Sequence, residues 1–272
     1  MGTLYVVATP IGNLEDITLR AINVLKEVDL IAAEDTRHTL KLLNYFEISK
    51  PLISYHRHNE ETKSDVLIEK LQDGKNIALV SDAGTPGICD PGEEIIKKCI
   101  ELEINIVPIP GACAMINSLI CSGISTKEFS FLGFLPLNKI LRKKKLEEIE
   151  KSNKTIIIYE APHKIETTLK DLKQILSSER KIVLAREITK IHEEFIRGNI
   201  DDLIKRVEDI KGEMVLIIEG NSNETESNDL IKLSIEQHYK YYEDQGFNKK
   251  DIIKMVAKDR KVNKNEIYKR FI

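Results

Sequence analysis

The sequence predicts an α/β protein: two α/β domains, the first on a mainly parallel, doubly wound sheet and the second on a mixed sheet, then a small C-terminal helical appendage. Three observations carry this. Short apolar runs alternate with helical patterns through the first part of the chain, which is the signature of repeated β-α-β units. The alternation restarts after residues 123–128 and tightens beyond Ala185, where closer strand spacing calls for antiparallel pairing. A polar linker, 220–228, then precedes three helix-sized patterns. The expected domains are 1–122, 123–221, and 222–272 for linker and basic helical tail.

Residues 4–8 form the first strand, which ends in the breakers Thr9, Pro10, Ile11, Gly12 and Asn13. Thr18 or Asp16 caps the next helix, whose Ala21, Ile22, Leu25 and Val28 recur at helical spacing. Residues 30–33 and 52–55 are short strands that run into EDTR and HRHNE. Residues 77–80 are a buried strand, followed by the dense loop SDAGTPGICDPG and an amphipathic helix through Ile95, Cys99 and Ile100. Residues 104–107 make a fifth strand, and Pro110-Gly111-Ala112 opens a helix of small residues. Strands are expected again at 129–134, 155–159, 181–185, 193–198 and 214–219, with a lysine-rich helix at 139–151. In that helix Arg142, Lys143, Lys144 and Lys145 form a solvated face that can also meet phosphates. The tail helices are expected at 230–242, 249–258 and 263–271, with Asn248 and Asn263 as N-caps. They read as a helix-turn-helix-like unit or as a dimer-stabilising appendage.

The clusters TPIGN, EDTR, HRHNE and SDAGTP each follow a strand. In a parallel sheet they gather at the carboxyl ends of the strands, where open α/β folds bind ligands. The longest, 77–92, combines glycines that let backbone approach a ligand with prolines that limit motion. Usual nucleotide and hydrolase signatures are missing from the sequence: there is no GxxxxGK[ST], no GxGxxG after the first strand, no HExxH and no GxSxG. The four cysteines, Cys89, Cys99, Cys113 and Cys121, form no CxxC pair, so no metal is expected and a reducing cytoplasm fits. No apolar run approaches the ~18 residues of a membrane-spanning helix. Net charge is −3, yet residues 228–272 hold 11 Lys/Arg against 7 Asp/Glu, a basic tail suited to a polyanionic partner.

The strings TPIGNLEDITLRA, AAEDTR, SYHRHNE, VSDAGTPGICDPG, PIPGACA, FLGFLP, YEAPHK and AREITKIHEEFIRG stand in this order over residues 2–220. Together they resemble the tetrapyrrole methylase superfamily, and within it the branch that acts on small-subunit (16S) ribosomal RNA. The resemblance implies 2′-O-methylation of a decoding-centre cytidine, S-adenosylmethionine in a cleft between two α/β domains, and a homodimer. It assigns donor contacts to Pro10, Gly84, Thr85, Ile88, Cys113, Ala114, Tyr159, Ala185 and Met214. Thr85 stands where relatives carry an acid, and Lys164 where the branch usually has arginine, which removes a planar fork for phosphate. A ribose hydroxyl needs a proton acceptor. Asp35 and Glu60 are the candidates, with Arg37 and His56 as positioning groups or alternative base. Lys164, Arg186, Glu187 and Lys190 are expected on the substrate side, or as ion pairs between the domains. Two alternatives remain: a methyltransferase acting on a tetrapyrrole or corrinoid, and a non-catalytic RNA-binding assembly protein.

Overall fold

A computed structural model describes residues 1–207, 210–221, 230–260 and 262–271; residues 222–228 of the expected linker lie outside them. The chain divides into two units, Met1–Gly220 and Asn221–Ile272.

The first unit opens with a five-stranded sheet in the order β3-β2-β4-β1-β5. Its strands are β1 (Thr3–Val7), β2 (Leu30–Ala33), β3 (Leu52–Ser54), β4 (Ile77–Val80) and β5 (Asn105–Ile109). Every pairing in it is parallel. The central β4 is buried throughout because successive side chains serve opposite faces. Ala78 and Val80 pack with Ala21 and Leu25 of α1 (Leu19–Glu27) and Leu43 of α2 (Thr36–Tyr45). Ile77 and Leu79 pack with Leu67 and Leu71 of α3 (Glu60–Gln72) and Ile95 of α4 (Glu93–Glu101). Each such buried Leu or Ile stabilises by about 1.5–3 kcal/mol. Of the two expected caps, Thr18 is the one used: its side chain accepts from the Ala21 N–H. β5 runs two residues beyond the expected 107, through Pro108. It lies at the sheet edge, where a residue without an N–H is tolerated.

After α5 (Ala114–Ile120) comes a second sheet in the order β6-β7-β10-β8-β9. Its strands are β6 (Phe129–Phe134), β7 (Thr155–Glu160), β8 (Ile182–Arg186), β9 (Glu194–Gly198) and β10 (Met214–Ile218). β6 and β7 pair in parallel, while β10 runs antiparallel to β7 and β8, and β9 antiparallel to β8. The sheet is therefore mixed, as the strand spacing predicts. Ile156, Ile158, Leu184 and Leu216 form one face and pack with Ile149 of α6 (Lys139–Lys151), Leu169 of α7 (Ile165–Lys173) and Leu203 of α8 (Ile200–Arg206). Ile157, Val183, Val215 and Ile217 form the other face. That face packs on Ile11, Ala112 and Leu119, and so joins the two sheets into one body.

In the second unit, α9 (Ile235–Asp244), α10 (Lys249–Asp259) and α11 (Lys264–Tyr268) enclose Tyr239, Ile252, Val256 and Ile267. Asn248 and Asn263 cap α10 and α11. α9 starts later than the expected 230 because Ser234 and Gln237 close a reciprocal capping box there. Among the described residues no helix is long and apolar enough to cross a membrane.

Candidate active site

A cavity of about 420 Å³ opens where the carboxyl ends of the first sheet meet the second. One wall comes from the loop after β4, with Asp82, Gly84, Thr85, Ile88 and Asp90, and from Glu34 just after β2. The opposite wall comes from Phe134, from Tyr159 to Pro162 at the end of β7, and from Met214 and Val215 at the start of β10. Cys113 and Ala114 at the start of α5, with Ile11 and Ile188, close the floor between them.

The first wall is built by backbone. Thr9 N–H donates to the Gly84 carbonyl at 2.8 Å, and Gly84 N–H returns the bond at 3.1 Å. Gly84 meets this with φ of +82°, a left-handed backbone where a side chain is strained. Thr85 Oγ1 then donates to the Ala112 carbonyl at 3.3 Å, which ties the loop to the start of α5. Cys89 also takes a positive φ, +64°. Its carbonyl accepts from the Arg57 guanidinium, and its thiol lies 3.0 Å from where a Cβ on Gly133 would stand. Burial pushes the Cys89 thiol pKa up.

The second wall is aromatic. Tyr159 Oη accepts from the Met115 N–H at 3.3 Å, and its ring sits edge-on to Phe131 and Phe134 at 4.8 and 5.7 Å. Burial raises the Tyr159 pKa, so the phenol stays neutral. Beside it, the buried Glu160 accepts from the Ala161 N–H and from Thr168 Oγ1. Thr168 in turn accepts from Arg142. Arg142 also donates to Asp171 at 2.8 Å, so it braces the cleft wall instead of presenting its charge to a phosphate.

Of the donor positions that the family pattern assigns, Gly84, Thr85, Ile88, Cys113, Ala114, Tyr159 and Met214 line the cavity. Pro10 and Ala185 are buried behind it, and Ile11 supplies the wall next to Pro10. The four catalytic candidates are not among the lining residues. Asp35 is the N-cap of α2 and binds Arg37 through two side-chain bonds at 2.8 and 3.1 Å. The Arg37 pairing holds its pKa well below the usual carboxylate range, which makes it a weak proton acceptor. Arg37 points outward, with its side chain 88% exposed. Glu60 accepts from the Gly92 N–H at 2.8 Å and from Tyr55 Oη at 3.3 Å, so it anchors the end of the glycine loop. His56 bonds Asn59 through Nε2 and keeps a buried Nδ1 without a partner.

The substrate-side candidates cluster at the ends of β8 and β10. Glu187 accepts from Lys190 at 2.9 Å and from the Glu213 N–H at 3.1 Å, and Lys190 also reaches Glu213 at 3.2 Å. Lys190 lies across Gly12 of the first sheet's loop, where any Cβ would meet it at 2.4 Å. Arg186 donates to Glu194 at 2.8 Å. Lys164 lies half-buried at the start of α7.

Sequence reasoning missed the acidic group Glu34, Asp82 and Asp90 as site residues. Burial and the neighbouring Asp82 raise the Glu34 pKa. Burial first, then Glu34 and Asp82, push Asp90 up to about 6 against the pull of Arg57. A signal was available. An Asp immediately before a helix is an N-cap, which turns Asp35 into the backbone and leaves Glu34 to the cleft.

These features invite comparison with known proteins. A family profile for Tetrapyrrole (Corrin/Porphyrin) Methylases matches residues 3–204. A Ribosomal RNA small subunit methyltransferase I of Halalkalibacterium halodurans is 50% identical over 271 residues, which covers 98% of this chain and 93% of that protein. The chain belongs to the ribosomal RNA small subunit methyltransferase I family. A Bacillus subtilis member of that family is 49% identical over 273 residues, with 98% of this chain and 93% of that protein covered. Among solved structures, a Thermus thermophilus uroporphyrin-III C-methyl transferase complexed with S-adenyl homocysteine aligns at a TM-score of 0.57 and 14% identity. The match covers 80% of this chain and 97% of that one, so the methyltransferase I family shares the tetrapyrrole methylase fold.

Proposed function

We propose that the protein uses S-adenosylmethionine to methylate small-subunit ribosomal RNA, at the ribose 2′-hydroxyl of a decoding-centre cytidine. The observation that carries this is a membership: near-full-length identity of about half to methyltransferases named for that RNA. The cleft fits the donor. Its volume lies in the range of small-molecule sites, and its composition is mainly apolar with a few convergent polar groups. Ile88, Met214 and Val215 offer apolar surface to a purine, and Gly84 lets backbone come close. The half-buried carboxylates set a negative field that suits a sulfonium cation.

The donor supplies an electrophilic methyl carbon. The protein's part is alignment, since an in-line displacement gains most from fixed geometry. Glu60 and Arg57 hold the glycine loop at both ends, and Tyr159 is held on the facing wall by the Met115 N–H. The basic second unit, with exposed Lys249, Lys250 and Lys269, supplies phosphate contacts. The same reading carries a homodimer working in the cytoplasm, for which sedimentation at twice the chain mass is the expected result.

The test is transfer from methyl-labelled donor to small subunits lacking the modification, with naked RNA beside them, followed by nucleoside analysis. Label in 2′-O-methylcytidine is expected. Label in a base sinks the ribose assignment. Transfer to a corrinoid with none to either RNA sinks the RNA assignment.

A further inference from the structure

We propose that Asp90 takes the proton from the attacking ribose hydroxyl, with Glu34 and Asp82 placed to keep its carboxylate basic. This rests on the ribose reading above. In the step, the ribose O–H bond breaks and its proton passes to the Asp90 carboxylate. The new O–CH3 bond forms as the S–CH3 bond breaks, and its electron pair stays on sulfur.

The argument begins with the backbone. Asp90 follows a non-glycine residue in left-handed conformation, Cys89. Such strain persists only where the surroundings enforce it. Two anchors from different elements do so: Arg57, after β3, donates to the Cys89 carbonyl, and Gly133, in β6, leaves room for the Cys89 thiol. The peptide bearing Asp90 is thereby clamped, and its carboxyl lines the cavity opposite Tyr159.

Charge supports the role. The groups facing Asp90 are Glu34 after β2, Asp82 after β4, Arg57 after β3 and Tyr159 on β7, while His56 acts on Glu34. Two carboxylates against one guanidinium, with partial burial, bring Asp90 to about 6. A proton acceptor poised there is mostly ionised at neutral pH yet far more basic than Asp35. Asp82 is already engaged, because its Oδ1 accepts from the Asp35 N–H at 2.9 Å.

The experiment has two arms. The first titrates carboxyl-¹³C aspartate in the donor-free protein by NMR. A carboxyl titrating near 6 is expected in the wild type, absent in Asp90→Asn and moved to lower pH in Glu34→Gln, because a neighbouring negative charge is gone. The second measures single-turnover transfer to small subunits against pH, with donor affinity in parallel. Asp90→Asn is expected to slow transfer by about 10²–10⁴-fold, to hold donor affinity within about threefold and to lose the acid limb. Glu34→Gln is expected to transfer with its acid limb at lower pH.

An Asp90→Asn rate near wild type, or a limb that persists in it, overturns the proposal. So does a limb abolished by Glu34→Gln and only shifted by Asp90→Asn, which makes Glu34 the acceptor. If Asp90→Asn fails to fold, the Glu34→Gln shift and the wild-type titration decide, and no shift overturns the assignment. Wild-type label outside the ribose defeats the functional reading instead, a result distinct from each of these.

Discussion

The two sheets meet the cleft in opposite ways. The parallel sheet meets it end-on: its strands stop, and the loops beyond them deliver Glu34, Asp82, Gly84 and Asp90. The mixed sheet brings a strand face and strand ends, with Val215, Met214 and Tyr159. The contrast has a structural cause. Parallel strands all finish at one edge, so their loops converge, and loops tolerate charge and unusual backbone. Antiparallel strands finish at alternating edges, and what they offer in common is an alternating face of apolar side chains. One wall therefore sets charge and the other sets shape.

That division predicts separable failures. The largest effect on stability belongs to the helix-covered face of the second sheet. Leu216→Ala there is expected to cost about 2–5 kcal/mol in chemical denaturation while the folded protein keeps donor affinity within about twofold. Tyr159 lies on the cleft face. Tyr159→Ala is expected to weaken donor binding by roughly 10–100-fold in calorimetry, about 1.4–2.7 kcal/mol, with Tyr159→Phe much milder since the ring is kept. Equal losses of donor affinity in Leu216→Ala and Tyr159→Ala would break the comparison.

Asp90→Asn is expected to stabilise the protein above pH 6. The sign follows from the raised pKa: the Asp90 contribution to stability is full below its unfolded value of 3.8 and is lost as pH rises through about 6. After discounting for partial exposure, removing that charge is worth about 1 kcal/mol, or a melting rise of roughly 2–4 °C at pH 8 that vanishes below pH 4. A fall in melting temperature at pH 8 would show that Asp90 stabilises the fold instead. The smallest effect is expected at the neighbouring acid outside the cavity: Asp35→Asn should change the transfer rate by less than about threefold, since asparagine keeps the cap. A hundredfold loss there would return Asp35 to candidacy.

Much of this architecture could be read before folding. The β-α-β alternation gave the parallel sheet, because apolar runs of four or five residues bounded by breakers have few other uses. The loop after β4 could be singled out because Gly84, Gly87 and Gly92 mark backbone that other residues rarely adopt, and all three do take positive φ. Less legible was which carboxylate of a pair faces the cleft. Glu34 and Asp35 are adjacent, and their separation is a matter of helix capping and of where Arg37 lies. Arg142 misled in the same way. On the sequence it is one cation in a lysine run, and in the fold it is a brace on Thr168 and Asp171.

The sequence by itself determined the strand and helix periods, the breaker loops and the family strings, because these depend on neighbours a few residues away. Only the tertiary structure decided that residues 34, 82 and 90 share one cavity with residue 159. Strand order puts β2 beside β4, and packing of the second sheet on α5 brings β7 across from them. The basicity of Asp90 exists only after that assembly, since burial and nearby charge are properties of a folded neighbourhood and not of a residue type.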